Sequence, residues 1–160
     1  MVEVRTAALA DEDALVRLDR AAWTTYSSPG PLAEGEVFFD EKTSPEDVLV
    51  AVVDGEVAGY LRLASSSRFA SSDHVLTING VAVDPAKQRR GVGRALIDAA
   101  VGEARRRGAR KLTLRVFSPN TAARRLYEAG GFEVEGVLRG EFHLGGDYVD
   151  DILMARDLGA

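Results

Sequence analysis

Val75-Leu76-Thr77-Ile78-Asn79-Gly80-Val81-Ala82-Val83 is an apolar run that stops at Asp84-Pro85. After it come Gln88-Arg89-Arg90-Gly91-Val92-Gly93-Arg94 and then a segment of helical periodicity. Strand, glycine loop, helix is an order that builds an anion site from backbone alone. Glycines allow the tight turn and leave no side chain to hold a ligand at a distance. The helix that follows points its unpaired N–H groups and the positive end of its dipole into the loop. A diphosphate fits such a site. A loop that merely joins strand to helix is the simpler alternative when these residues are taken alone.

Two phosphate motifs can be tested against the loop. A P-loop ends in Gly-Lys-Ser/Thr, whereas this one ends Gly93-Arg94-Ala95, with no hydroxyl for Mg²⁺. A dinucleotide fingerprint wants a third small residue where Leu96 stands. It also wants an acid at the end of the next strand, where the chain reads Val116-Phe117-Ser118. Neither pattern is met.

Working outward, Val2 to Thr6 alternates as a strand, and Asp11 to Trp23 carries Leu15, Leu18 and Ala22 at helical spacing. Ser27 to Pro31 breaks that helix, and Pro31 to Glu41 reads as a short helix ending in Val37-Phe38-Phe39 or as a loop. Val48 to Val53, the turn Asp54-Gly55 and Glu56 to Ala64 form a hairpin pattern. Ser65 to Ser72 is serine-rich and reads as a mobile connection.

Beyond the loop, Val92, Leu96, Ala100 and Ala104 form an apolar stripe that Gly108 is placed to end. Lys111 to Phe117 is a strand, and Ser118-Pro119 starts a short helix that ends at Gly130-Gly131. Phe132 to Val137, Glu141 to Leu144 and Tyr148 to Met154 read as closing strands around Gly145-Gly146. These elements amount to one α/β unit over residues 1–160 with a mixed sheet.

Composition narrows the classes. The 160 residues are 46% hydrophobic and 28% charged, with a net charge of −5, which argues against nucleic acid as a general partner. Basic residues nevertheless gather at Lys87, Arg89, Arg90 and Arg94 around the glycine loop, and again from Arg105 to Lys111 at the helix end. No apolar run approaches ~18 residues, and Met1 to Arg5 lacks a signal-peptide pattern. A cytoplasmic protein with no membrane partner is therefore expected. The absence of cysteine excludes a catalytic thiol and a thiolate metal site.

Gln-x-x-Gly-x-Gly after Val81 to Pro85 resembles the acetyl-CoA loop of the GNAT superfamily of N-acetyltransferases. A second block is similar to that family too: Leu112 to Val116, Asn120, Leu126-Tyr127-Glu128, then Gly131-Phe132. The ending from Gly145 to Met154 resembles the last hairpin of small bacterial members. The resemblance implies an α/β (α+β) fold with a mixed, mostly antiparallel sheet of about seven strands, a splayed central pair and about four helices. It also implies acetyl-CoA as co-substrate, no metal, and a homodimer as an option.

Carried onto this chain, the resemblance assigns the pantetheine edge to Val81, Ala82 and Val83. The pyrophosphate goes to the N–H groups from Arg89 through Arg90, Gly91, Val92 and Gly93 to Arg94, with Gln88 at the loop entry. Asn120 would contact the pantetheine arm or order water, although a helix cap is its alternative. Tyr127 would protonate the leaving thiolate, with a core aromatic as the alternative, and the Val81 N–H would polarise the carbonyl.

Many members place a glutamate on the strand before the loop as base; Thr77-Ile78-Asn79-Gly80 supplies none. His74, His143 and Glu141 are the candidates instead. Trp23, Tyr26, Phe38 and Tyr148 are available to line a site for a small amine, an amino acid or a peptide N-terminus, between the N-terminal helices and the last hairpin. A catalytically weak acyl-CoA-binding sensor of the same fold is the competing reading.

Overall fold

A computed structural model of the chain describes residues 1–29 and 37–159. Seven strands form one sheet in the order β1-β2-β3-β4-β5-β7-β6. They are β1 (Val2–Thr6), β2 (Val48–Val53), β3 (Glu56–Ser65), β4 (Val75–Val83), β5 (Lys111–Phe117), β6 (Glu133–Leu144) and β7 (Asp147–Asp157). All neighbours are antiparallel except β4 and β5. Three α-helices occur among the described residues: α1 (Glu12–Ala22), α2 (Val92–Arg106) and α3 (Thr121–Ala129). That is one fewer than the sequence suggests. The expected short helix from Pro31 lies largely outside the described residues, and its described end, Val37 to Glu41, is irregular.

Strand alternation sorts the core onto two faces. Leu49, Ala51, Leu61, Leu63, Leu112 and Leu114 bury against the apolar stripe of α2. Val48, Val50 and Tyr60 point the other way and bury with Leu15 and Leu18 of α1. Tyr60 secures that second layer by donating its hydroxyl to Asp19 Oδ1 at 2.6 Å. Desolvation pushes the Tyr60 phenol well above its ordinary value; the Asp19 hydrogen bond and charge act in the same sense, and the Arg62 charge acts against them.

Turns follow the sequence closely. Asp54 (φ 52°) and Gly55 (φ 78°) are both left-handed, as a two-residue hairpin with matching twist requires. Gly145 (φ 58°) and Gly146 (φ 87°) repeat the device between β6 and β7. The serine-rich stretch is more structured than its composition suggests: Ala70–Ser72 forms a 3-10 turn, and the Ser67 and Ser72 hydroxyls are hydrogen-bonded. The closing strands differ as well. The expected strands Phe132–Val137 and Glu141–Leu144 are not separate: residues 133–137 and 141–144 belong to one strand, β6, which spans Glu133–Leu144 with register shifts at Val134/Gly136 and Leu138/Phe142. Such bulges leave no clear mark in the alternation of a half-exposed edge strand.

Candidate active site at the parting of two strands

β4 and β5 are paired only at Val75–Lys111, Leu76–Leu112 and Thr77–Thr113. Both continue, β4 to Val83 and β5 to Phe117, without a further rung. From Asn79 to Val83, β4 is bonded to β3 alone, through Leu61–Val81, Tyr60–Ala82 and Gly59–Val83. The register steps by two residues in β3, from Leu61 to Leu63, but by three in β4, from Val81 to Ile78. Asn79-Gly80 is therefore a bulge, consistent with Gly80 at φ 143°. Past Thr77 the chain leaves a backbone edge able to take an extended, amide-bearing ligand.

That edge runs into the glycine loop. Asp84 caps the 3-10 turn Pro85–Lys87 by accepting the Ala86 N–H at 2.9 Å. Gln88, Arg89 and Arg90 are exposed. Arg89 (φ 66°) and Gly91 (φ 79°) take left-handed backbone, and Gly91 caps α2. A Cβ on Gly91 would meet nothing within 4 Å, so its face is open. Gly93 differs: a Cβ there would stand 2.9 Å from Leu126 Cδ2, against α3. Val92 is 2% exposed, packed where Gly59 leaves room for its Cγ1, so only its backbone can face a ligand. Of the loop cations, Lys87 pairs with Glu56 at 3.3 Å, Arg90 with Asp54 at 3.4 Å and Arg94 with Asp98 at 3.1 Å.

Asn120 is the N-cap of α3, and its side chain accepts the Ala123 N–H at 3.3 Å. Helix capping, the alternative to a ligand contact, is thus what its oxygen does. Tyr127 is 8% exposed, lies edge-on to Phe132 at 6.3 Å, and makes no hydroxyl hydrogen bond with a described residue. Burial pushes its phenol up to about 12.

The three candidate bases stand away from the splay. His74 begins the paired end of β4, where its carbonyl accepts from Arg110 and Lys111. Seven residue steps separate it from Val81, about 23 Å along the strand. On the closing hairpin, Phe142 pairs with Val149 and meets Phe117 edge-on at 5.2 Å. Alternation turns the exposed Glu141 and His143 to the opposite face, where His143 stacks on its cross-strand partner Tyr148 at 4.5 Å. Tyr148 is 75% exposed. Residue type alone suits these side chains to base chemistry; their faces depend on a register that no local pattern reveals.

The other proposed lining residues divide. Phe38 is edge-on to Tyr60 at 5.0 Å, on the α1 side of the sheet. Tyr26 and Thr25 approach the hairpin tip so closely that a Cβ on Gly145 would be 3.2 Å from each. The segment just after α1 and the tip of β6–β7 are thus in contact. Trp23 is exposed.

One residue missed in the sequence is Asp151. It is 1% exposed, paired in register with Phe117, and accepts Arg115 Nη1 at 2.9 Å through Oδ2, while Oδ1 finds no donor. One of two adjacent acids in a strand, Asp150-Asp151, carries no signal in sequence of being the buried one. A groove of about 440 Å³ lined by Arg94, Gly130, Gly131 and Arg156 lies on the helical flank, away from the splay. Among the described residues no group of three or more acids and histidines is arranged to hold a metal, and no helix is long and apolar enough to cross a membrane.

Comparison with known proteins agrees with this geometry. Residues 14–132 match the Acetyltransferase (GNAT) family. The ribosomal protein bS18-alanine N-acetyltransferase of Salmonella typhimurium is 38% identical over 107 residues, covering 63% of this chain and 72% of that one. The crystal structure of smu.2055 from Streptococcus mutans superposes with a TM-score of 0.83 at 29% identity, covering 98% of this chain and 99% of that one. YncA of Salmonella typhimurium, solved with acetyl-CoA, shares the fold at 24% identity and a TM-score of 0.76, covering 98% of this chain and 94% of that one. An open β4 edge leading into a glycine-capped helix, and a match over three quarters of the sequence, lead to one conclusion: the chain belongs to the GNAT family of acyl-CoA-dependent N-acetyltransferases.

Proposed function

We propose that the chain, as one acyl-CoA N-acyltransferase domain over residues 1–160, transfers an acetyl group from acetyl-CoA to a primary amine by direct attack in a ternary complex. The observation that carries the proposal is the unpaired edge of β4 beyond Thr77, continuous with the loop and the N-terminus of α2. Pantetheine amides pair with the backbone of Val81 to Val83, and the pyrophosphate takes the N–H groups from Arg89 to Arg94, where the helix dipole favours anions.

The amine binds on the α1 face of the sheet, in the region bounded by α1 and the closing hairpin β6–β7. Its nitrogen attacks the thioester carbonyl, whose oxygen takes charge beside the N–H of Val81, a contact that can supply several kcal/mol. As the carbon–sulfur bond breaks, Tyr127 gives its proton to the thiolate. A phenol pushed up to about 12 stays protonated at neutral pH and is available to donate. The nucleophile must be neutral. With His74, Glu141 and His143 away from the splay, deprotonation precedes binding or passes to solvent.

The placement of those three residues also favours a second reading, an acyl-CoA-binding sensor with weak turnover. Thiol release from acetyl-CoA across amino acids, polyamines and peptides with free N-termini separates the two. Release above the no-amine background supports the enzyme. Calorimetric binding of acetyl-CoA without release from any amine supports the sensor, and no binding removes both.

A further inference from the structure

The strands on either side of β4 each carry an arginine on the α1 face, at the level where β4 and β5 part. Leu61 and Leu63 pair with Val81 and Ile78, so Arg62 between them stands opposite the Asn79-Gly80 bulge. A Cβ on Gly80 would be 3.9 Å from the Arg62 Cβ. Two residues beyond the last rung, Thr77–Thr113, the parallel register brings Asn79 level with Arg115. Arg115 lies between Leu114 and Val116, which bury on the α2 face, so its side chain takes the α1 face. Asn79 follows Ile78, buried on the α2 face, and is itself exposed. Arg62, Asn79 and Arg115 thus form a row across three strands, about 7 Å down the strand from Val81.

The two cations are incompletely satisfied. Arg62 donates Nη1 to Thr43 Oγ1 at 2.5 Å, its Nε is buried without a partner, and no carboxylate pairs with it among the described residues. Arg115 is 64% exposed and uses Nη1 on Asp151, leaving the rest of its fork open. Asp151, immobilised by burial, fixes where that fork points. A buried guanidinium N–H without an acceptor, as at Arg62 Nε, is costly, and an anion placed between it and the open fork of Arg115 gains charge-assisted bonds.

We infer that the acceptor amine carries a carboxylate a few bonds from its nitrogen, read by Arg62 and Arg115, with Asp151 as a positioning residue for Arg115. This rests on the acetyl-transfer reading above and names its substrate class: acid-bearing amines such as amino acids, in preference to polyamines. The geometry suits that class, because a nitrogen beside Val81 leaves a nearby carboxylate at the level of Asn79. A polyamine would instead set its charges against two guanidinium groups.

The test measures kcat/KM for the proteinogenic amino acids, each beside its carboxamide, with spermidine and tyramine for comparison. Calorimetry of each acid and amide on the protein holding coenzyme A runs in parallel. The expected result is at least one acid favoured over its amide by about tenfold or more. Arg62→Met and Arg115→Met bring that ratio close to one by raising KM for the acid, and Arg62→Lys and Arg115→Lys recover part of it. Asp151→Asn raises KM for the acid with a smaller change in kcat, and acetyl-CoA affinity stays the same in every variant.

Equal use of every acid and its amide, or release with spermidine or tyramine alone, overturns the inference. So does an equal fall in acid and amide rates in the arginine variants. If no amine releases thiol, the transfer reading fails by itself. Calorimetric binding of acids but not amides then still supports the anion subsite, and absence of both overturns it.

Discussion

Gly93 in α2 and Leu126 in α3 are in contact so close that a Cβ on the glycine would lie 2.9 Å from Leu126 Cδ2. The contact is reciprocated one turn on, where a Cβ on Gly130 would lie 2.7 Å from Ile97 Cγ2. Two glycines therefore set the spacing of α2 and α3, and α3 carries Tyr127. Gly93 thus positions a helix in addition to the N–H it offers in the proposed phosphate loop. Gly93→Val is expected to lower stability by about 1–3 kcal/mol through overpacking. Thermal denaturation checks this, and Leu126→Ala in the same chain should return part of the loss.

Gly91 should behave differently. Its left-handed backbone (φ 79°) disfavours a β-branched residue by about 1–2 kcal/mol, yet a side chain there meets no neighbour. Gly91→Val is expected to remain folded and to weaken acetyl-CoA by at least about tenfold, because the N–H groups of the loop lose their common direction. Calorimetry beside a melting curve separates this from the Gly93 effect.

Acid sensitivity has a nameable contributor. Hydrogen bonds from Arg106 first, and then from Arg107, hold the Glu103 carboxyl at about 2, against 4.5 unperturbed. A depressed folded-state value gives stability that is complete above pH 4.5 and is lost as pH falls through 2. Glu103→Gln should therefore be less stable than the parent at pH 7 and equal to it near pH 2, in urea unfolding at both values. A difference that persists unchanged at pH 2 would point to packing instead.

Tyr127 should leave its mark on the pH–rate profile. Since burial carries the phenol to about 12, activity should rise with pH as the amine is deprotonated and then level off, with no fall below about pH 10. A descending limb near pH 8–9 that disappears in Tyr127→Phe would contradict this environment.

Much of the proposed donor side was legible in sequence, because it is built from contiguous residues. Val75 to Val83, Gly91 and the start of α2 are one stretch, and Asp54-Gly55 and Gly145-Gly146 announce their turns by composition. Asn120 was legible as a cap for the same reason. The acceptor side was not. Whether His143 or Phe142 faces the cleft depends on a pairing with β7, and the bulge at Leu138/Phe142 changes the count. Arg62 and Arg115 are 53 positions apart and share a level only through the register of three strands. Asp151 reads as one of two adjacent acids in the closing strand until its pairing with Phe117 and its bond from Arg115 place it.

The most direct test is steady-state thiol release by Tyr127→Phe, with acetyl-CoA affinity measured on the same preparation. The variant should bind acetyl-CoA within about threefold of the parent while kcat falls by about 100-fold or more, the range for loss of a general acid. An unchanged kcat at unchanged affinity would contradict the role given to Tyr127 and leave it a buried core aromatic.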